Sequence, residues 1–213
     1  MFSKTFTEYF HVVFTLPHTL NALAQGNPRV IYTLLFRAAT DTLLTFGRDP
    51  RHLGGTIGVT AILHTWGQNL SQHVHLHCVV TGGVAPAGTR WIAAKDGFLF
   101  PVRALSHVFR AKYLDVLRQA FAQARLTFAA GTADLAQVEA FLQFVAALRA
   151  EPWVVYAKRP FVGICWTPTL ARPRHSCRPG YSHLIEVMID ITKHTRYSNS
   201  YAYHARPSNG SGR

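Results

Sequence analysis

The sequence predicts an α+β domain of ferredoxin-like topology, an antiparallel sheet with helices packed on one face. Three observations predict it. Short segments rich in aromatic and β-branched residues stand at 10–17, 54–66, 71–83 and 152–161. Longer stretches with apolar residues at helical spacing separate them. The order is strand, helix, strand, strand, helices, strand, which is the split β-α-β arrangement.

The first strand is "FHVVFTLP", stopped by Pro17, because proline cannot donate to a ladder. Asn27-Pro28 then supplies an N-cap and a proline at the first helical position. Val30, Ile31, Leu34, Leu35 and Ala38 recur at helical spacing, which predicts a helix over 28–46 ending near Gly47. "GGTIGVTAILHTW" is the second strand, with its paired part expected over 56–65. The third, "SQHVHLHCVVTGG", alternates His73, His75 and His77 with Val74, Leu76 and Cys78. Successive strand side chains point to opposite faces, so the three imidazoles share one face and the apolar set packs on the core. Gly82-Gly83 ends that strand in a turn, and "TRWIAA" (89–94) forms a small ribbon.

After Pro101 the pattern becomes helical through residue 149. Leu105, Phe109, Tyr113, Val116 and Ala120 make one stripe. Leu135, Val138, Leu142 and Val145 make a second, capped by Thr132 or Asp134. "PWVVYAKRPF" is the last strand, its pairing expected over 153–159. Tyr113, on its helix stripe, and Tyr156, in the strand, are read as core aromatics.

Composition narrows the function. The 213-residue chain is 48% hydrophobic, which excludes a disordered polymer. Its 22 Lys and Arg against 10 Asp and Glu give a net charge of +12. A surplus of that size suits a polyanion such as nucleic acid. A membrane surface fits less well, because no basic amphipathic stripe and no span-length apolar run are present. A basic protein with no polyanionic partner is the remaining alternative. Cys78, Cys165 and Cys177 form no Cys-x-x-Cys pair, which argues against a disulfide scaffold and a cysteine zinc site. A reducing, cytoplasmic setting follows, and the first residues lack the features of a signal peptide.

Three imidazoles on one strand face offer adjacent ligands to a metal ion. A polar face whose histidines only hydrogen-bond is the simpler alternative. Gln68 and Gln72 are further polar candidates.

The composition shifts near residue 161. Residues 1–161 hold three serines, whereas 162–213 hold six, with four prolines and seven Lys or Arg. The expected organisation is one unit over 1–161 and a divergent, poorly packed tail over 162–213, with one short helix at 183–193.

"FHVVFTLPHTLNALAQGNP", "LHTWGQNLSQHVHLHCVVTGGV" and "WVVYAKRPF" resemble, segment by segment and in order, the body of rolling-circle insertion-sequence transposases. These are two-tyrosine members of the HUH endonucleases, named for two histidines flanking a hydrophobic residue. The resemblance covers about residues 9–161. It implies the ferredoxin-like core, single-stranded DNA at element ends as substrate, and a divalent ion, magnesium or manganese. By motif position His75 and His77 are the implied ligands, with His73 a third ligand or a partner behind them. It also implies a tyrosine nucleophile that leaves a covalent DNA-tyrosine link and a free 3′-hydroxyl.

Two departures stand out. The family's cysteine-rich segment before the first strand is not seen, and "VGICWTPTLARPRH" does not resemble the family's tyrosine helix. These suggest a truncated copy, or one read out of frame after about residue 161. Tyr197 and Tyr201 in "RYSNSYAYH" have the four-residue spacing of a tyrosine pair. Coincidence is the alternative, because Ser-Asn-Ser is poor helix and Tyr181 and Tyr203 lie nearby. Two other functions remain open: a non-catalytic module that binds single-stranded nucleic acid by stacking and phosphate contacts, and a zinc hydrolase using all three histidines.

Overall fold

The structure is a computed structural model and describes residues 8–67, 72–85, 91–95, 97–129 and 131–162, with the backbone of 185–187. Among the described residues, eight strands and four α-helices run in the order β1 (Glu8–Thr15), α1 (Asn21–Gly26), α2 (Pro28–Arg48), β2 (Val59–Trp66), β3 (Gln72–Thr81), β4 (Gly83–Val84), β5 (Ile92–Ala93), α3 (Val102–Ala122), α4 (Val138–Ala150), β6 (Val155–Ala157), β7 (Phe161–Val162) and β8 (Ile185–Val187).

The main sheet has the order β6-β1-β3-β2-β8, with β7 also on β1. Every pairing in it is antiparallel. Strand β3 lies between β1 and β2, the split β-α-β order that the element sequence predicts. β4 and β5 form the separate small ribbon.

Period-two alternation sets the layers. Phe10, Val12 and Phe14 of β1, Ala61 and Leu63 of β2, and Val74, Leu76, Cys78 and Val80 of β3 are buried. They form one core cluster with Ile31, Leu34, Leu35 and Ala38 of α2 and Leu105, Phe109, Tyr113 and Leu117 of α3. The helices therefore cover one face of the sheet. Trp153 locks β6 to this layer by edge contacts with Phe109 and a hydrogen bond from Nε1 to the Leu148 carbonyl, 2.8 Å.

The turn after β3 requires glycine. A β-carbon on Gly82 would lie 2.7 Å from the Glu8 carbonyl oxygen.

Several details differ from the sequence expectations. Gly47 does not stop α2. It is buried inside the helix, where a β-carbon would crowd Ile57 at 3.1 Å, and the helix runs to Arg48. Asn27 occupies the N-cap position without capping through its side chain. Its Nδ2 donates to the carbonyls of Leu23 and Thr127, 3.1 and 2.8 Å, and its Oδ1 accepts from the Thr127 N–H, 2.7 Å. The residue ties two loops together instead. Neither Thr132 nor Asp134 caps α4, because a 3-10 turn over Ala133–Ala136 intervenes and Gln137 is the N-cap. Phe141, Val145 and Leu148 are buried, while Val138 and Leu142 are exposed. Stacking of Phe141 on Phe121, with centroids 3.9 Å apart, sets the face.

Tyr113 is a core aromatic as expected, but Tyr156 is 54% exposed. It follows buried Val155 on the same short strand and so points to the face opposite the helices. Within the stretch expected to be helical at 183–193, residues 185–187 form a strand on the edge of β2, Ala61↔Val187 to Leu63↔Ile185. An open sheet edge presents unpaired N–H and C=O groups to an extended segment. β7 spans the expected boundary at residue 161 and pairs with Glu8 and Tyr9.

Candidate metal centre

The side of the sheet away from the helices is built by the alternate residues of the same strands. β1 contributes His11, Val13 and Thr15, β2 contributes Thr60, Ile62 and His64, and β3 contributes His73, His75 and His77. Register decides which of these meet. His75 lies opposite Thr15 on one side and His64 on the other. His77 lies opposite Val13 and Ile62.

His64, His75 and His77 each offer a nitrogen such that all three lie within 4.8 Å of one another. Their ring centroids are 4.4 Å apart for His64 and His77, 4.9 Å for His75 and His77, and 5.3 Å for His64 and His75. The cluster brings the expected His75 and His77 together with His64 of β2, and His73 is not among its members. His73 sits one step further along β3 and packs against His18, centroids 5.2 Å apart. Its contribution is through the backbone. The Nδ1–H of His75 donates to the His73 carbonyl at 2.7 Å.

His64 had a signal in the sequence that strand-by-strand analysis passes over. β2 and β3 pair antiparallel in a register that runs from Val59↔Val80 to His64↔His75, so His64 lies directly opposite His75. A bulge follows between His64 and Trp66.

His77 is held from the other side by β1. Its Nδ1 is 2.7 Å from Nε2 of His11, and the two rings stack with centroids 4.9 Å apart. Among the described residues, His75 and His77 thus have Nδ1 engaged and leave Nε2 for an ion.

The electrostatics favour neutral rings. Burial pushes His77 down to about 3, with the charges of His64, His75, His11 and Lys158 acting in the same direction. Burial also lowers His75, against the opposing hydrogen bond to the His73 carbonyl. It lowers His64, His11 and His73 as well, with Lys158 adding to the effect on His11 and His18 to that on His73. A neutral imidazole carries the lone pair that a metal needs, so no proton must be removed near neutral pH. Three convergent, neutral nitrogens, with the second nitrogens of His75 and His77 hydrogen-bonded, fit a divalent cation.

Gln72 is described and binds elsewhere, its Oε1 accepting from Gln25 Nε2 at 2.6 Å. Gln68, Tyr181, Tyr197, Tyr201 and Tyr203 lie outside the described residues. A cavity of about 220 Å³ lined by Thr19, Leu23, Thr132, Asp134 and Phe144 holds none of the histidines. No described helix is long and apolar enough to cross a membrane.

Comparison with known proteins gives three results. Residues 58–164, half of the chain, match the model of the family Y2_Tnp, described as "Putative transposase". The chain is 53% identical over 158 residues to "Putative transposase y4qJ" of Sinorhizobium fredii (strain NBRC 101917 / NGR234), covering 74% of this chain and 40% of that one. It is 41% identical over 73 residues to "Transposase for insertion sequence element IS801" of Pseudomonas savastanoi pv. phaseolicola, covering 34% of this chain and 17% of that one. The chain thus spans well under half the length of these relatives. Among solved structures, the conjugative relaxase TrwC in complex with oriT DNA, in a metal-bound structure, matches with a TM-score of 0.43 and 20% identity, over 53% of this chain and 43% of that one.

Proposed function

The chain belongs to the Y2_Tnp transposase family, and on that premise we propose that it is the DNA-handling core of a rolling-circle transposase. In this reading it binds single-stranded DNA at element ends and holds a divalent cation, magnesium or manganese, on the histidine face of its sheet. The observation that carries it is the convergence of His64, His75 and His77 on the side of the sheet that the helices leave uncovered. The unit proposed for this role is residues 1–161, with 162–213 a divergent tail.

Each side chain has a task in this reading. His64, His75 and His77 would hold the cation through three neutral nitrogens. Bound there, the cation supplies Lewis-acid neutralisation of charge on a phosphodiester oxygen. Lys158 is exposed, its N–H donates to the His11 carbonyl at 3.0 Å, and its charge reaches His11 and His77. That position suits a phosphate contact. Tyr156 is exposed on the same face, in the cross-strand row Tyr156, Val13, His77. An exposed ring beside a basic surface is a stacking platform for an unpaired base.

Strand cleavage, as a proposal for the whole protein, forms a bond from a tyrosine oxygen to phosphorus and breaks the bond to the 3′ oxygen, which leaves as a hydroxyl after taking a proton. Tyr197 and Tyr201 are the candidate nucleophiles. Labelled single-stranded oligonucleotides incubated with manganese should give a covalent protein-DNA band that disappears in a Tyr197→Phe, Tyr201→Phe double variant. DNA and manganese binding without such a band would leave a binding core that cannot cut, which is the non-catalytic module.

A three-imidazole set also suits zinc, so the zinc hydrolase remains a second reading. Competition between manganese and zinc, with ester hydrolysis followed in the absence of DNA, separates the two. Hydrolysis that needs zinc and ignores DNA would favour the second.

A further inference from the structure

His11 stands outside the three converging nitrogens, yet it touches one of their owners. It lies on β1 directly opposite Val79 and reaches along the strand to His77, whose own cross-strand neighbour is Val13. The contact is His11 Nε2 to His77 Nδ1 at 2.7 Å, with the rings 14° from parallel.

Two neutral imidazoles can make this bond in one of two ways. Either His77 donates from Nδ1 or His11 donates from Nε2. The choice matters for the site. If His77 donates, its proton is on Nδ1 and the lone pair of Nε2 is free. If His11 donates, the proton of His77 sits on Nε2 and blocks that nitrogen as a ligand.

We propose that His11 is a positioning residue for the cation site: it accepts the Nδ1–H of His77 and so holds the Nε2 lone pair of His77 toward His64 and His75. The inference rests on the metal reading above. His75 shows the same device in a different form, because its Nδ1–H is held by the backbone carbonyl of His73. That carbonyl cannot be changed by substitution, whereas His11 can. Strand β1 fixes His11 well: its backbone carbonyl accepts from Lys158 N–H at 3.0 Å, and the flanking Phe10 and Val12 are buried in the core. A hydrogen-bond partner behind a ligating histidine sets tautomer and ring orientation, and losing one costs about 10- to 100-fold in metal affinity.

The test uses the full chain, manganese alone as the probe, and two substitutions. His11→Leu keeps bulk and removes the acceptor. His11→Gln places an amide oxygen near the position of Nε2. Calorimetric titration should show about 10- to 100-fold weaker manganese binding for His11→Leu, with His11→Gln within about threefold of wild type on the same scale. Long-range proton–nitrogen NMR on metal-free wild type should show His77 protonated on Nδ1, which a purely structural role for His11 does not require. If His11→Leu does not fold, the tautomer and the His11→Gln titration still decide. Unchanged affinity in His11→Leu, His11→Gln as weak as His11→Leu, or a proton on Nε2 of His77 in wild type would overturn the inference. A wild-type protein that takes up no manganese would instead remove the metal reading, and this inference with it.

Discussion

Phe10, Val12 and Phe14 point from β1 into the helices and are at most 1% exposed, while His11, one residue away, points the other way and meets His77. The same division runs through β3, where Val74, Leu76 and Cys78 are sealed and His73, His75 and His77 are half-buried. One face of this sheet is occupied by packing, the other by imidazole. The difference is of environment as much as composition. On the histidine face, His77 lies in register between Val13 and Ile62. Ile62 is itself buried yet stands outside the core cluster. Apolar neighbours on both sides desolvate His77 enough to keep it neutral, without covering it with helices. A half-buried face of this kind can hold ligand lone pairs ready where a sealed core could not admit an ion.

Substitutions on the two faces should therefore fail differently. The largest effect belongs to the packed face. Leu76→Asp places an unpaired charge at a fully buried position and should cost on the order of 4 kcal/mol or more, abolishing the cooperative urea transition. A variant that still melts cooperatively near the wild-type midpoint would break the comparison. Phe14→Ala removes a ring packed edge-on to Phe109 and should cost about 3–5 kcal/mol by the same measurement.

On the histidine face the loss should be of binding, not folding. His64→Ala and His77→Ala should each weaken manganese binding by about 10-fold at the least, since even a partner behind a ligand is worth that much. Their thermal melts should stay within about 1 kcal/mol of wild type. His73→Ala should be nearly silent in the titration, because its carbonyl, not its ring, supports His75. A large loss for His73→Ala with none for His64→Ala would restore His73 as the third ligand.

Acid should act on the histidine face first. A histidine whose folded value is lowered binds fewer protons when folded than when unfolded, so stability is full above the unfolded value near 6.5 and falls as pH drops toward the folded value. For His77 that window runs from about 6.5 down to about 3. Metal-free protein should lose thermal stability progressively through this range. His77→Gln, which cannot titrate, should lose less over the same range. Equal slopes for the two proteins would show that His77 is not the group responsible.

Much of this contrast is legible in the residues. Alternation in "HVHLHC" separates the two faces of β3 before any coordinates exist, because strand geometry has a period of two. The helix stripe Leu105, Phe109, Tyr113 is equally plain and is buried. Other features are not local. Val138 and Leu142 fit a helical period and are exposed, because the stacking of Phe141 on Phe121 sets the face of α4. Tyr156 follows the same rule as the histidines, but three paired residues are too short a strand to show which side is open.

By itself, then, the sequence determined which residue types line each face of β3, the order of strands and helices, and the resemblance to a transposase family that the family match bears out. Only the tertiary structure decided which histidines meet. His64 and His11 come from strands on either side of β3, and neither is near His77 in the chain. What brings them within reach is cross-strand register, β2 pairing His64 with His75 and β1 placing His11 diagonal to His77. Register follows from backbone hydrogen bonding and from the packing of the opposite face, where a slip of one residue would turn every buried side chain outward. The apolar face that carries no chemistry is thus what aligns the histidines on the face that does.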